Sequence, residues 1–240
     1  MDKFPRFSII IPVKNESGNV EILAKEIYKK CNSMFFELLF VNDGSTDNTL
    51  TVLSKIKDKY NNFRIISHKK SKGQSAALRT GINQSKNNVI ITMDGDCQND
   101  PSDILKLLVR FKKEKSRLLL IGGVRKKRKD KFGKRIASKI AKYVRKIFLN
   151  DNHPDSGCGI KIFHKKLFLL MPYFDHMHRF LPALAKRENA KVLAIDVNHR
   201  IRNDGKSNYT NIGRLFVGII DTFGVMWLLK RTPSQSSSKK

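Results

Sequence analysis

The most constraining feature of the sequence is a series of short, wholly apolar segments that alternate with segments of helical periodicity. Ile9–Ile11 and Val89–Ile91 are β-branched and lack the apolar/polar alternation of a half-exposed strand. Between such runs, a segment such as Gly18–Lys30 carries apolar residues at i, i+3, i+4 and i+7, which gives it one core-facing stripe. This order predicts an α/β sandwich with a mostly parallel central sheet flanked by helices.

The first half predicts five strands, at Phe7–Val13, Glu37–Val41, Phe63–Ser67, Val89–Met93 and Leu118–Gly122. The helices predicted between them are Gly18–Lys30, Thr46–Tyr60, Gly73–Gln84 and Pro101–Lys113. The second half predicts strands at Cys158–Phe163 and Lys191–Val197, and helices at Gly133–Leu149, Lys165–Met171 and His178–Glu188.

The domain organisation follows from these elements. Residues 1–210 are predicted to form one catalytic domain that carries a basic amphipathic insert at about 125–149. Residues 211–231 are predicted to form a C-terminal helix, either interfacial or packed on the domain. The Ser/Lys/Pro/Gln-rich residues 232–240 are typical of a disordered tail.

Polar residues collect just after three of the predicted strands. Residues 12–16 read PVKNE, residues 42–47 read NDGSTD, and residues 94–101 read DGDCQNDP. Ligands of an open parallel sheet bind outside the carboxyl ends of its strands. The three segments are therefore expected to meet at one edge of the sheet and to form the functional site there.

Asp94 and Asp96 are two carboxylates on a turn directly after a buried strand. This arrangement suits a hard divalent cation, Mg²⁺ or Mn²⁺, held together with a diphosphate, and Gln98 is a candidate neutral ligand. The plainer interpretation is a chance DxD sequence beside a helix start. Asp100 fits that second role, as an N-cap before Pro101 at the first helical position.

Two further segments have both a functional and a structural interpretation. Ser45 and Thr46 are candidates for a helix cap and, alternatively, for part of a nucleotide site. Residues 72–77, KGQSAA, place small residues at a helix start, where Gly73 and its neighbours offer backbone N–H groups to a phosphate. Tight packing of the helix on the sheet explains the same small residues.

Taken together, the motifs resemble glycosyltransferase family 2, whose members have the GT-A fold. The resemblance rests on IPVKNE at 11–16, VNDGSTD at 41–47, KGQSAA at 72–77 and DGD at 94–96, in the family's order and spacing. DGDCQNDP is similar to the signature of dolichyl-phosphate mannose synthases and bacterial polyprenyl-phosphate sugar synthases. Looser matches are GVR at 123–125, DSGCG at 155–159 and RNDGKSNY at 202–209.

The resemblance implies an inverting, metal-dependent hexosyltransferase that moves a sugar from a nucleotide-diphosphate sugar to a polyprenyl phosphate. It implies that Asp43 contacts the donor's base, that Asp94 contacts the ribose or the metal, and that Asp96 and Gln98 contact the metal. The implied catalytic residues are Asp96, Arg125 and Arg202. The implied donor-binding residues are Pro12, Asn15, Glu16, Asp43, Gly73, Asp94, Asp96 and Lys206, and Arg125 and Ser207 are placed at the acceptor.

Residues 175–182, DHMHRFLP, bear on the class of acceptor, because they lack two features of relatives with soluble acceptors. Many relatives with soluble acceptors carry an E-D pair here and a QxxRW segment, and this chain has neither. A phosphate monoester is largely a dianion at neutral pH, with a second pKa of about 6, so it needs no strong base. The alternative is a family 2 enzyme that acts on a sugar hydroxyl of a soluble or lipid-linked glycan. His178 and Arg179 are candidate acceptor contacts, although a histidine at a helix start is commonly solvated or capping.

Net charge bears on the partners of the chain. With 48 Lys and Arg against 21 Asp and Glu, the formal charge is +27, and twelve of the basic residues lie in Arg125–Lys146. That segment also has an apolar stripe, which predicts an interfacial helix whose Lys139, Lys142, Arg145 and Lys146 face an anionic membrane surface. Ile212–Arg231 is a second candidate.

No segment of the sequence has the roughly 20 apolar residues of a spanning helix, and the polar Met1–Arg6 does not resemble a signal peptide. The three separated cysteines suggest neither disulfides nor zinc. We therefore expect a cytoplasmic protein, peripherally bound to the inner face of the membrane, with a membrane-protein partner as an alternative anchor. Nucleic-acid binding, the rival that the charge permits, is disfavoured because no helix-turn-helix, zinc-finger or RNP pattern is present.

Overall fold

The computed structural model describes residues 4–126, 149, 153–201 and 211–231, with the side chains of the last range described from Gly218 onward. The strands are β1 (Phe7–Val13), β2 (Phe36–Asp43), β3 (Phe63–His68), β4 (Val89–Thr92), β5 (Leu119–Arg125), β6 (Lys161–His164) and β7 (Lys191–Val197). The helices are α1 (Val20–Cys31), α2 (Thr49–Lys57), α3 (Gln74–Gln84), α4 (Asp103–Lys113), α5 (Lys165–Leu170), α6 (Leu181–Arg187) and α7 (Asn211–Arg231).

The strands form a seven-stranded sheet in the order β3-β2-β1-β4-β6-β5-β7. All neighbouring pairs are parallel except the two that involve β6, which runs antiparallel to both β4 and β5. The mostly parallel α/β sandwich predicted from the sequence is confirmed.

Both faces of the sheet are covered, which explains why β1 and β4 carry no exposed polar alternation. On one face Ile9 and Ile11 pack with side chains from α1, α2 and α4. On the other face Ile10 packs with side chains from α3, α5, α6 and α7. Successive side chains of a strand point to opposite faces, so the unbroken apolar run of β1 supplies both cores.

Several predicted boundaries differ from the structure for local reasons. The predicted helix His178–Glu188 is divided into a 3₁₀ turn at Met177–Arg179 and helix α6, which begins at Leu181. Pro182 cannot donate a backbone hydrogen bond, so it is accommodated in the first turn of a helix and would interrupt a longer one. Strand β6 begins at Lys161, because the chain turns before it with a Cys158 N–H to Asp155 O bond of 3.1 Å.

The predicted caps also shift. Helix α2 begins at Thr49, so its N-cap position is Asn48 and not Ser45 or Thr46, and the Thr49 N–H donates to Asp47 Oδ1 at 3.0 Å. Helix α4 begins at Asp103, and Asp100 accepts the Ser102 N–H at 2.9 Å one turn earlier. The predicted helix at 133–149 lies outside the described residues except for Leu149, which is buried in the core that contains Ile10.

Helix α3 approaches the sheet closely at Gly81. A Cβ added at this position would lie 2.5 Å from Ile10 Cγ2 and 2.9 Å from Val41 Cγ2. Because α3 begins beside the carboxyl ends of β1 and β2, this contact helps to fix the position of its first turn. We predict that Gly81→Ala lowers the free energy of unfolding by about 1–3 kcal/mol through overpacking, as measured by urea denaturation.

Gly224 in α7 provides the matched control, since an added Cβ there would meet nothing within 4 Å. Gly224→Ala should leave stability unchanged or raise it by up to about 1 kcal/mol, because alanine is the better helix former. A Gly81→Ala variant as stable as the parent would contradict the close packing described for α3.

Candidate active site

Two carboxylates lie together after β4, in the carboxylate loop formed by residues 94–100. Asp94 Oδ1 accepts a 2.9 Å hydrogen bond from Gln74 Nε2, and Asp96 Oδ1 accepts the Gln98 N–H at 3.2 Å. Burial and the negative charge of Asp96 raise the pKa of Asp94 to about 6, although Lys161 and Arg125 partly oppose the shift. The loop therefore concentrates negative charge that a bound cation would relieve.

The chemistry of this loop fits a divalent cation. Within the described residues no group of three or more His, Cys, Asp and Glu side chains could hold a metal. The protein contribution would thus be two carboxylates and the Gln98 amide, which are hard oxygen ligands. Mg²⁺ is commonly bound by one or two carboxylates, with waters and substrate phosphates completing its coordination.

The first two motifs are tied to each other by hydrogen bonds. The Asn15 N–H donates to Ser45 Oγ at 3.0 Å, and the Thr46 N–H donates to Asn15 Oδ1 at 2.8 Å. Asn15 has a φ of 55°, a left-handed conformation that asparagine tolerates better than most residues. The Glu16 N–H donates to Thr49 Oγ1 at 2.9 Å.

The carboxylate loop joins the same edge. A Cβ added to Gly95 would lie 3.2 Å from the Pro12 carbonyl oxygen, so the loop passes directly beside the first motif. The predicted meeting of the three segments at one edge of the sheet is confirmed.

Asp43 organises the approach to α3. Its carboxylate accepts hydrogen bonds from His68 Nδ1 (2.7 Å), Ser71 Oγ (2.7 Å), Lys72 N (2.8 Å) and Gly73 N (2.9 Å). Burial alone would raise the pKa of Asp43, but these bonds lower it below its ordinary value. Both carboxylate oxygens are engaged by the chain itself, and the contact of Asp43 with the donor's base stays a prediction.

Arg125 lies at the end of β5 in a two-pronged ion pair. Its Nε and Nη2 atoms donate to the two Asp155 oxygens at 2.6 and 2.7 Å. Burial would lower the pKa of Arg125, but the Asp155 carboxylate raises it. The guanidinium is thereby fixed at the carboxyl edge of the sheet and keeps its positive charge, as a contact with a phosphate requires.

Lys161 is a buried cation that sequence reasoning missed. It donates to the Cys158 carbonyl, and burial lowers its pKa while the charge of Asp94 favours its ammonium form. The available signal was a lysine within the otherwise apolar run Ile160–Phe163. Burying a charge costs less when an opposite charge lies near, and Asp94 supplies that charge.

His178 is held by α3. Its Nδ1 lies 2.8 Å from Ser75 Oγ, and its backbone N–H donates to the same oxygen at 3.3 Å. Burial, with the positive charges of Arg179 and Lys161, lowers the pKa of His178 to about 3. The ring is thus a neutral, half-buried group fixed beside the start of α3. Sequence reasoning also missed Gln74, which bonds to Asp94.

Several other predicted site residues lie outside the described ranges, and their roles stay predictions. They are Arg202, Lys206 and Ser207 after β7, and Lys139, Lys142, Arg145 and Lys146 in the basic segment Arg125–Lys146.

A parallel α/β sandwich with paired carboxylates and a small-residue helix start at its carboxyl edge defines the class of GT-A glycosyltransferases. Solved structures of that class have the same fold. Glucosyl-3-phosphoglycerate synthase from Mycobacterium tuberculosis, in complex with Mg²⁺ and uridine-diphosphate, has a TM-score of 0.71 at 14% identity and covers 92% of this chain and 79% of that one. The mannosyltransferase PcManGT from Pyrobaculum calidifontis, in complex with GDP-Man and Mn²⁺, has a TM-score of 0.70 at 14% identity, over 96% and 66% of the two chains.

The chain belongs to glycosyl transferase family 2, whose sequence model matches residues 8–170. It is 33% identical over 229 residues to dodecaprenyl-phosphate galacturonate synthase of Rhizobium johnstonii, covering 93% of this chain and 67% of the relative. It is 28% identical over 212 residues to undecaprenyl-phosphate 4-deoxy-4-formamido-L-arabinose transferase of Proteus mirabilis, covering 87% and 64%. The chain thus spans about two thirds of the length of these relatives.

Gly159 gives a test of the Asp94 position. A Cβ added there would overlap the Asp94 carboxylate, which sits at the end of a short movable side chain. We predict that Gly159→Ala folds but displaces this carboxylate. Binding of Mn²⁺ with a nucleoside diphosphate, measured by calorimetry with UDP and GDP in parallel, should weaken roughly tenfold or more.

Gly157→Ala is the control, because its added Cβ would meet only Arg125 Nη2, at 3.8 Å. This variant should bind the metal and the nucleotide like the parent. Equal binding by the Gly159→Ala variant would show that the position of Asp94 is not important for the site.

Proposed function

We propose that this protein is an inverting glycosyltransferase that moves a sugar from a nucleotide-diphosphate sugar to a polyprenyl phosphate. The observation that carries the proposal is the pair Asp94 and Asp96, set at the carboxyl edge of the sheet beside the fixed cations Arg125 and Lys161. The family assignment supports sugar transfer, and the activities for which the two relatives are named support a polyprenyl phosphate acceptor.

The residues of the carboxylate loop would hold Mg²⁺ or Mn²⁺, and the bound ion would stabilise the charge that develops on the departing nucleoside diphosphate. Arg125 adds a preorganised positive charge, since Asp155 fixes its guanidinium before the substrate arrives. The start of α3 at Gly73 and Gln74 offers the positive end of a helix next to Asp94, which suits the diphosphate.

The protonation state of His178 bears on the acceptor. His178 is a neutral imidazole with a pKa of about 3, which makes it a poor base for a sugar hydroxyl. A phosphate monoester is already ionised and attacks without one. This supports a lipid phosphate over the hydroxyl alternative.

Helix α7 supports contact with a membrane. It packs on the sheet through Val225, while Ile220, Phe223 and Trp227 are 69%, 47% and 60% exposed. These three residues lie on one side of the helix at i, i+3 and i+7, and Lys230 and Arg231 follow. No helix among the described residues is long and apolar enough to cross a membrane. The proposal is peripheral binding to an anionic membrane surface at the cytoplasmic face, by α7 and the basic segment, with a membrane-protein partner as the alternative anchor.

The enzymatic proposal predicts that a labelled lipid forms when polyprenyl phosphate is incubated with a suitable nucleotide sugar and Mn²⁺ or Mg²⁺. Thin-layer analysis with a panel of labelled UDP and GDP sugars identifies the donor. Asp96→Ala should abolish transfer while the circular dichroism spectrum and melting temperature stay close to those of the parent, because Asp96 contributes little to the core.

Three outcomes would oppose the proposal. Full activity in EDTA would show that transfer does not require a metal. Transfer to a sugar hydroxyl in place of the lipid phosphate would favour the alternative enzyme, which acts on a soluble or lipid-linked glycan. Proton NMR of the product reports its anomeric configuration, and an α-linked product from an α-linked donor would exclude inversion.

The membrane proposal predicts that Phe223→Gln with Trp227→Gln weakens binding to anionic liposomes. Replacing Lys139, Lys142, Arg145 and Lys146 with Gln should weaken it by a few kcal/mol at low salt, at about 1 kcal/mol per basic residue. High salt should reproduce the second effect, since the Debye length falls to about 3 Å at 1 M. Sedimentation with the liposomes measures both effects.

The control is Leu105→Gln with Val109→Gln, which removes side chains that are 45% and 40% exposed on α4, on the opposite face of the sheet. This variant should bind liposomes like the parent. If neither the α7 variant nor the basic-segment variant reduces liposome binding, the membrane proposal is wrong. These surfaces would then be solvated faces or contacts for another protein.

A further inference from the structure

The chain that follows β7 lies along the carboxylate loop. The Asn198 N–H donates to Asp103 Oδ2 at 2.7 Å, at the first residue of α4. Asn99 and His199 form an antiparallel bridge, and the Arg200 N–H donates to the Gln98 carbonyl at 2.9 Å. Residues 198–200 thus form a short brace, antiparallel to residues 98–100.

The brace ends in one cation that joins three parts of the fold. Arg200 Nη1 lies 2.6 Å from Glu26 Oε2 on α1, and Arg200 Nη2 lies 2.9 Å from Asp100 Oδ1 in the carboxylate loop. Burial would raise the pKa of Asp100, but hydrogen bonding by Ser102 and the charge of Arg200 lower it. The same guanidinium therefore fixes the far end of the loop against α1.

The carboxylate loop needs such support because of its backbone. Cys97 has a φ of 60°, a left-handed conformation that is unfavourable for a non-glycine residue and persists only where its surroundings impose it. Asp96 precedes this residue and Gln98 follows it, so the strained turn sets the relative positions of two candidate metal ligands. On the other side, Asn99 Oδ1 accepts the Asp94 N–H at 2.9 Å, which ties the bridged residue back to the first carboxylate.

We infer that Arg200 is a positioning residue for the metal site. By clamping Asp100 to Glu26 and the Gln98 backbone to the brace, it holds Asp96 and Gln98 in the arrangement that a divalent cation requires. These ligands are then already ordered in the folded protein, which lowers the entropic cost of binding the metal. This inference rests on the proposed function, which supplies the metal. Arg200 itself is not one of the proposed metal ligands Asp94, Asp96 and Gln98.

The test measures binding of Mn²⁺ with a nucleoside diphosphate by calorimetry, without any acceptor. Arg200→Gln should raise the dissociation constant for Mn²⁺ about tenfold, the usual effect of losing a residue that orients metal ligands. Glu26→Gln, which keeps the side-chain shape, should raise it by a smaller factor. Since Glu26 acts through Arg200, the double variant should bind Mn²⁺ no more weakly than Arg200→Gln alone.

Lys25→Gln is the matched control, because it breaks the Lys25–Glu21 ion pair of 2.8 Å on the same helix α1. It should leave metal affinity unchanged. Hydrogen exchange in EDTA provides a readout without metal: the amides of residues 96–100 should exchange faster in Arg200→Gln and not in Lys25→Gln. A purely structural role would lower the melting temperature without this local change or the change in affinity.

Unchanged Mn²⁺ affinity and unchanged exchange in both Arg200→Gln and Glu26→Gln would overturn the inference. If Arg200→Gln fails to fold, Arg200→Lys, which keeps the charge but not the two-pronged geometry, takes its place under the same criteria. Failure of the proposed function is seen separately, as absence of transfer to polyprenyl phosphate by a parent protein that binds Mn²⁺ and nucleotide normally.

Discussion

Burial of the sheet on both faces is the constraint on which the rest of the molecule depends. Helices cover each face, so the central strands can carry only apolar side chains along most of their length. Polar and charged groups are therefore displaced to the strand ends. At the carboxyl edge they meet the start of α3 and form the site, because all but one of the strands run in the same direction.

The site is held by hydrogen bonds between its own segments before any substrate is present. Asp43 fixes the turn into α3 through both carboxylate oxygens, and Asp155 fixes Arg125 in the same way from a different segment. These charges are compensated within the protein. The pair formed by Asp94 and Asp96 differs, because its mutual repulsion is relieved only in part by Lys161 and Arg125. A rigid frame thus surrounds a local excess of negative charge, and this contrast is why we propose the carboxylate loop as a cation site.

The sequence predicted the strands, the parallel sheet and the convergence of the three motifs, because apolar periodicity and polar strand ends are local properties of a chain. It did not predict the groups that act across long separations. Ser75 and His178 are 103 residues apart and Glu26 and Arg200 are 174 apart, and no pattern in either neighbourhood points to the other. Lys161 was overlooked for another reason: a single lysine in an apolar run looks like a residue of an exposed edge strand, whereas β6 lies between β4 and β5 inside the sheet and Lys161 is buried. The division of the helix at Pro182 was readable from the residue itself.

The reversed direction of β6 has a consequence for how a chain of this architecture can vary. Strand β5 ends at the carboxyl edge of the sheet, and β6 begins there because it runs the other way. The connection between them must leave and return at that edge of the sheet, where we propose that the substrates bind. Lengthening or shortening it alters no strand register, and each doubling of a flexible loop costs only about 0.6 kcal/mol in closure entropy. A change in the length of this connection would therefore fall beside the edge where we propose that the substrates bind, while the strands of the sheet keep their pairing.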